Sequence, residues 1–584
     1  MSNSKKVWKG INEIIYNKTN KAYEEIFLDE NGSIITDQKV VANKFNRFYT
    51  SIADKLVAKI KKPPTRFQDY LKNPNEHTLF LNETDHGEIT TLIYRLDTTK
   101  AGDIYGVSPR LIKDAGPSMA ANLSILFNLS MESGVFPHLL KKTKVIPIYK
   151  AESKMLASNY RPISLLPILG KLFEKIIYSR LISFIKKYNV LYRRQYGFQK
   201  GMSTEYAVID IQENILKSLE NKEIPCCLFL DFAKAFDTVN HSILLQKLNH
   251  YGIRGKALGL IESYLTDREQ CVQLNNTTSD FDYIRHGVPQ GSILGPLLFL
   301  LYINDIANSS SLLSFYLFAD DTTIFLSHKD QKTLEETLNA ELTHVSNWLA
   351  ANKLSLNVGK SNVLLFRGRN QTLPPINLVI NGLPVAEKDY AKYLGVMIDN
   401  RLTFSKHIEH VKSKLIRGNA ILGITRHYLP KSILLNTYHA HIQPHIDYGI
   451  NAWGHTYKSH LTVLKRHQRK SIRLINFKKK RDATAELFRN NKVLPFDQCL
   501  SLASAKLLWK CSNGLLPPTL DKLFQARTNK SFHLPFRRVE ISQHCSTYSG
   551  VQSWNKLPLN IRTSKTLGAF KTNCKNYFLS KIVD

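Results

Sequence analysis

Three short segments carry side chains whose type and spacing could do chemistry. The first is Cys226-Cys-Leu-Phe-Leu-Asp231-Phe-Ala-Lys-Ala-Phe236-Asp237, an apolar run broken by Asp231. That pattern fits a buried strand whose end emerges with a carboxylate. The second is Phe315-Tyr-Leu-Phe318-Ala319-Asp320-Asp321-Thr-Thr-Ile-Phe325, two adjacent acids between two β-prone runs. A strand–turn–strand there holds both acids at a tight tip. Adjacent like charges repel and burial adds desolvation, so a counter-charge is needed. A divalent cation supplies it. Hard carboxylate oxygens suit Mg²⁺, which binds through one or two carboxylates plus substrate phosphates. Alone, Asp320-Asp321 reads more simply as a turn, since Asp is a turn residue. With Asp231 on a second apolar strand, the metal reading overtakes it. The third segment is His286-Gly-Val-Pro-Gln-Gly-Ser-Ile-Leu-Gly-Pro-Leu-Leu-Phe299, in which glycines and a proline surround a polar Gln-Gly-Ser. An apolar helix ending near Asp305 follows. Glycines at such places let backbone approach a substrate closely.

These segments need elements to position them. A helix is expected after Asp231, with Phe236 and Val239 on one face and Leu244, Leu245 and Leu248 further on. The Asn31-Gly32 pair predicts a hairpin between apolar flanks. Thr36-Asp37 caps a helix carrying Val40, Val41, Phe45, Phe48 and Ile52 on one side, and Lys61-Lys-Pro-Pro-Thr65 ends that unit. Helices are expected over Glu88–Leu96 and Ala121–Leu140, a short strand over Val145–Tyr149 and an amphipathic helix over Lys171–Tyr188. Helical and β-like runs alternate to about residue 400, an α+β pattern. Beyond Thr403 the chain reads as basic helices.

The 584 residues suggest several domains, since one core rarely grows beyond about 250–300 residues. A hydrophobic share of 43% excludes a mostly disordered chain. No apolar run reaches the ~18 residues of a spanning helix, and Met1-Ser-Asn-Ser-Lys-Lys leads into no signal-like apolar segment. Seven scattered cysteines without a Cys-x-x-Cys pair exclude a readable zinc knuckle and fit a reducing, intracellular setting. The net charge of +32 points to a polyanion, with nucleic acid first. Residues 391–584 hold 33 Lys and Arg against 9 Asp and Glu, so a third of the chain carries most of the excess. The densest stretch contains Lys465, Arg466, Arg469, Lys470, Arg473, Lys478, Lys479, Lys480 and Arg481. A solvated helix face is the usual reading of such a run. Trp453, Tyr457 and Phe477 lie nearby, and contact with RNA or duplex is the alternative reading.

The ordered set of segments resembles reverse transcriptases, and more narrowly those of non-LTR (LINE-type, Jockey-like) retrotransposons. Phe318-Ala-Asp-Asp321 resembles the aromatic-x-Asp-Asp signature, and Leu230–Val239 the first catalytic motif. Gly287–Pro296 and Tyr302-Ile-Asn-Asp305 resemble the template-and-nucleotide motif. Asn159-Tyr-Arg-Pro-Ile-Ser164 resembles the fingers motif, and Gln195-Tyr-Gly-Phe198 the segment after it. Leu354–Lys360 and Tyr393-Leu-Gly395 resemble later palm motifs and the primer grip.

The resemblance implies a right-hand polymerase: an N-terminal extension over 1–100, fingers and palm over 101–400, a thumb over 401–460 and a basic, mostly helical nucleic-acid-binding region over 461–584. It implies that Asp231, Asp320, Asp321 and the Phe232 carbonyl hold two Mg²⁺ ions, with Mn²⁺ as a substitute. It makes Phe236 a steric gate, Arg161 a triphosphate contact with Lys144 and Lys150 as lesser candidates, and Gln290 and Gly291 a nucleotide pocket. Lys360 matches the lysine proposed to protonate pyrophosphate. Asp237 supports local structure. The implied partners are an RNA template, a DNA primer or target, dNTPs and an element-encoded ribonucleoprotein, in nucleus and cytoplasm. Trp8-Lys-Gly-Ile-Asn and Val41–Phe48 resemble the linker that follows an endonuclease in such elements, and the expectation is that the nuclease itself is missing. Trp554–Pro558 and Phe570–Lys575 resemble a C-terminal segment of such elements. Two rival readings are a catalytically silent RNA-binding relic and a maturase-like RNA-binding protein.

Overall fold

The strand Ile224–Leu230 is buried along its whole length, and its side chains divide between two cores. Ile224, Cys226, Leu228 and Leu230 face one, while Cys227 and Phe229 face the other. A strand covered on both faces needs a continuous apolar run rather than alternation, which is what residues 224–230 supply. In the computed structural model, which describes residues 28–30, 33–368 and 371–582 together with Gly10 and Glu13, this strand is the centre of a five-stranded sheet. Asp321–His328 and Asn362–Leu365 flank it, both antiparallel to it. Ser314–Phe318 pairs outside the first, and Ala386–Glu387 lies parallel outside the second.

On one face lie helices His86–Tyr94, Pro109–Ser133, Ile168–Lys187, His241–His250, Gly255–Leu265, Leu294–Ile303 and Gln331–Ala351. Their interior contains the ion pair Lys247–Asp305, closed over by Trp348, whose indole donates to Asp305 at 2.9 Å. On the other face lie Thr204–Glu220 and the C-terminal helices Ser405–Thr425, Lys431–His441, Lys458–Ile475, Phe496–Ser512 and Leu567–Ser580. One apolar core therefore runs from the central sheet to Ile582. The boundary at 460 falls within Lys458–Ile475, which packs along Ser405–Thr425.

A second sheet orders Tyr160–Leu165, Thr143–Tyr149, Arg268–Leu274 and Thr277–Thr278, with Asp282–Ile284 also pairing to Arg268–Leu274. Helix Gln38–Val57 lays Val41, Ala42 and Phe45 on Val145, Tyr160 and Val272. Asp37 caps it as expected, accepting from the amides of Lys39 and Val40. Leu28–Glu30 and Ser33–Ile35 form the expected hairpin. Its Asn31-Gly32 turn lies outside the described residues, as does Trp8-Lys-Gly-Ile-Asn12 apart from Gly10. The expected helix over 121–140 instead begins at Pro109 and stops at Gly134, which takes φ +71°. The seven cysteines are free and buried. No described helix is long and apolar enough to cross a membrane.

Candidate active site

The two adjacent acids sit at the tip of the hairpin Ser314–Phe318/Asp321–His328, closed by Ala319 and Asp320. Thr322 pairs with Leu230, so one step further along the register Asp321 and Asp231 emerge side by side. Burial raises the Asp320 carboxyl above its ordinary value, and the charge of Asp231 adds to the rise. Burial first, then Asp320 and Asp231, push Asp321 up to about 6. Lys150 opposes both shifts, Arg161 the first and Lys392 the second. Three acids on two strand ends thus face cations from the second sheet and from the hairpin Tyr390–Tyr393/Val396–Asp399. Among the described residues, no three His, Cys, Asp or Glu side chains converge tightly enough to cage a metal. The donor set still fits Mg²⁺, which keeps its waters and needs only one or two carboxylates plus substrate phosphates.

Asp231 is braced by the loop that carries Lys360. Its amide donates to Ser361 Oγ at 3.2 Å, and its carbonyl accepts from the Asn357 amide at 2.8 Å. Phe232 bridges to Leu356, and the Ala233 amide donates to the Ser355 carbonyl at 2.9 Å. These bonds, with Lys234 at φ +51°, replace the expected helix after Asp231 by turns, and a helix starts only at His241 under an Asn240 cap. Phe236 therefore sits in a turn. Its ring stacks on Phe299 at 4.4 Å and meets the edge of exposed Phe198 at 6.2 Å. Lys234 was not singled out from sequence. Burial holds its ammonium below the ordinary range, with Lys150, Arg161 and Lys360 adding and Asp237 opposing. Lys360 itself is exposed.

Gln290 and Gly291 lie between the two sheets. Gln290 donates to Asp237 at 2.7 Å, and its carbonyl accepts from the Ser164 amide at 2.7 Å. Asp237 is thus a local anchor, its carboxyl raised by burial and lowered by Gln290 and Lys234. Behind this loop, fully buried Glu174 accepts from the amides of Ile293 and Leu294, at 2.6 and 3.2 Å. A carboxylate on free amides at a helix start is favourable. Nothing in local periodicity singles out Glu174 from the other positions of its helix.

Arg161 projects exposed from the strand beside this loop, and Lys150 follows the partner strand. Lys144 lies at that strand's other end, near Cys271, and is not among the cations acting on Asp320 or Asp321. A cleft of about 490 Å³ opens beside Asp321, lined by Leu230, Phe318, Lys392, Tyr393, Leu394, Gly395 and Tyr448. The Tyr448 hydroxyl donates to the Leu394 carbonyl at 2.7 Å and closes this cleft.

The basic run divides by partner. Lys465 pairs with Asp497 at 2.7 Å, and Arg473 donates to the Asp482 carbonyl at 2.7 Å. Arg466, Arg469 and Lys470 are exposed on Lys458–Ile475, and Lys478, Lys479, Lys480 and Arg481 are exposed in the turn after it. None of them is among the cations acting on Asp320 or Asp321.

Residues 141–398 match the family described as reverse transcriptase (RNA-dependent DNA polymerase). This part of the chain, which contains both sheets and every acid of the site, is a reverse transcriptase domain. The chain is 30% identical over 418 residues to the "Probable RNA-directed DNA polymerase from transposon X-element" of Drosophila melanogaster, covering 70% of this chain and 46% of that protein. It is 29% identical over 425 residues to the RNA-directed DNA polymerase from mobile element jockey of the same organism, with the same coverage. Its reverse transcriptase domain is therefore similar to those of the non-LTR, LINE-type retrotransposons. The chain spans about half the length of the curated relatives it matches, 46% in each case.

Proposed function

We propose that this chain is an RNA-directed DNA polymerase that extends a primer 3′ end with dNTPs along an RNA template. The observation that carries the reading is the meeting of Asp231, Asp320 and Asp321 at two paired strand ends, opposite Lys150 and Arg161. In this reading the second sheet is the fingers, the central sheet the palm, and the helices from Ser405 the thumb, with an extension ahead of residue 101 and a basic region beyond 460.

Asp231, Asp320, Asp321 and the Phe232 carbonyl would hold two Mg²⁺ ions, or Mn²⁺ in their place. Such ions neutralise the charge that develops on the attacking and leaving oxygens. The chain's own residues supply position. Lys150 and Arg161 take the incoming triphosphate, and Gln290 and Gly291 pack against the base pair that forms. The Phe236 ring, backed by Phe299, stands where a ribose 2′-hydroxyl would crowd it. The cleft between Asp321 and Gly395 receives the primer end. The 3′-hydroxyl oxygen then bonds to the α-phosphorus as its proton passes to solvent, the bond from the α-phosphorus to the oxygen it shares with the β-phosphate breaks, and pyrophosphate leaves. Lys360 is the group that would return a proton to it. Phosphoryl transfer of this kind depends mainly on positioning and charge neutralisation. RNA template, primer or target DNA, and an element-encoded ribonucleoprotein are the partners, which places the work in nucleus and cytoplasm.

Primer extension on poly(rA)/oligo(dT) with Mg²⁺ tests the reading. Incorporation by the intact chain, lost in Asp320→Ala while RNA binding persists, is the expected result. Template binding without any incorporation by the intact chain overturns it in favour of an RNA-binding relic or a maturase-like protein.

A further inference from the structure

The turn that carries Asp320 is held by a side chain from outside the hairpin. Gln195 is 1% exposed, and its Oε1 accepts two amides, from Gly197 at 2.9 Å and from Ala319 at 3.1 Å. Ala319 is the first residue of the turn and takes φ +55°. An L-residue at positive φ is strained and persists only where its surroundings enforce it. The backbone on either side of Gln195 continues the clamp. The Tyr196 amide donates to the Leu317 carbonyl at 2.7 Å, and the Leu317 amide donates to the Arg194 carbonyl at 3.0 Å. Gly197 lies so close that a Cβ there would collide with the Ala319 amide nitrogen. The clamp is anchored in turn, since Arg194 and Tyr196 both donate to buried Asp210, at 2.8 and 2.7 Å.

We infer that Gln195 is a positioning residue for metal binding: by holding Ala319 in its left-handed conformation, it sets where the Asp320 and Asp321 carboxylates point. The inference rests on the polymerase reading and adds a residue to it. The Nε2 of Gln195 is buried with no hydrogen-bond partner in the structure, so the oxygen alone performs the task. Partners that orient metal ligands typically alter metal affinity 10–100-fold when removed.

The test is Mn²⁺ titration of the full chain followed by electron paramagnetic resonance, with melting temperature and template RNA affinity measured in parallel. Gln195→Met keeps the shape and removes the acceptor. Gly197→Ala pushes on the same amide from the other side. Both are expected to weaken Mn²⁺ binding roughly 10–100-fold and leave RNA affinity unchanged. Gln195→Glu keeps an acceptor for both amides and is expected to stay within about threefold of the parent, against the 10–100-fold loss above. Unchanged Mn²⁺ affinity in either folded variant overturns the inference. So does failure of both Gln195→Met and Gly197→Ala to fold, which would make the segment a folding determinant only. A parent chain that binds no Mn²⁺ overturns the polymerase reading instead, so the two failures are separable.

Discussion

Gly291 and Ser164 approach so closely that a Cβ on Gly291 would lie 2.6 Å from the Ser164 carbonyl oxygen. Gly291 also takes φ +121°, a conformation that L side chains rarely adopt. The loop carrying Gln290 is thereby pressed against the strand that carries Arg161. Gly291→Ala should cost about 1–3 kcal/mol in backbone strain alone, and the loop should relieve the clash by moving off the strand. Steady-state primer extension should show a raised KM for dNTP and a lowered kcat, with RNA affinity retained. Parent-like kinetics in a folded variant would contradict this placement of Gly291.

Asp321 gives a pH dependence whose sign follows from its environment. Its carboxyl is pushed up to about 6, from an ordinary 3.8, by burial and by Asp320 and Asp231. Between those values the folded chain holds a proton that the unfolded chain releases, so metal-free stability falls as pH rises toward 6 and levels off above it. A bound cation competes with that proton. Half-saturating Mg²⁺ in primer extension should therefore rise steeply below pH 6 and change little from pH 7 to 8. Asp321→Asn should raise the metal-free melting temperature at pH 7.5 and abolish extension. A metal-free melting temperature that is the same for parent and variant at that pH would remove the electrostatic argument.

Phe236 has its ring fixed by Phe299 on one face and Phe198 at its edge. A ring held this way excludes by shape rather than by hydrogen bonding, and such steric discrimination amounts to about 1–3 kcal/mol per group excluded. Phe236→Ala should raise the relative kcat/KM for ribonucleotides by roughly 10–200-fold, with dNTP use reduced less. Discrimination that survives the substitution would assign the gate to another residue.

The three acids of the candidate site are legible because their signals are local. A carboxylate at the end of an apolar run, and two more between β-prone runs, declare their strands within about ten residues. The cations around them divide by the same criterion. Arg161 and Lys150 came with a recognisable motif or strand end, and Lys234 sits in the turn directly after Asp231, whereas Lys392 reaches the site on a separate hairpin and the Tyr448 hydroxyl comes from beyond it. The helix expected after Asp231 holds Leu244, Leu245 and Leu248 but starts only at His241, and the delay has a long-range reason: Ser355, Leu356, Asn357 and Ser361 bind the backbone of residues 231–233. The basic run shows a similar limit. Its periodicity predicts a charged face, but only the fold brings Asp497 to Lys465 and turns Arg473 to the Asp482 carbonyl.

That division separates two kinds of charge. Lys478, Lys479, Lys480 and Arg481 are exposed, and neutralising them together should weaken RNA binding. The salt dependence of binding should flatten by roughly 0.7–0.9 in slope for each phosphate that is no longer neutralised. Lys465→Ala and Arg473→Ala should lower melting temperature while leaving that slope alone. A slope unchanged by the quadruple substitution would mean that those charges are only solvated.

The C-terminal helices are part of the central sheet's support, and helix Thr204–Glu220 is where this can be measured. Glu213 accepts from Arg537 at 2.8 Å and from Thr547 at 2.7 Å, with both ends of the ion pair nearly buried. Glu220 accepts the amides of Arg538 and Val539, each at 3.0 Å, Tyr206 accepts from Lys510 at 2.9 Å, and Tyr196 meets Thr519 at 3.0 Å. The same helix packs beneath Ser314–Phe318, the strand that leads to the turn of Asp320. Removing Glu213 leaves the Arg537 guanidinium buried and unpaired, which costs roughly 3–5 kcal/mol. Replacing both partners with apolar residues of similar size should cost far less, because no charge is then stranded. Glu213→Ala should therefore lower both thermal stability and primer extension, and Glu213→Leu with Arg537→Met should recover much of both. Hydrogen exchange should show the strand Ser314–Phe318 opening in the single variant and protected in the double. If Glu213→Ala loosened residues 537–547 while the strand and extension stayed intact, the C-terminal helices would be an appendage with no share in holding the catalytic hairpin.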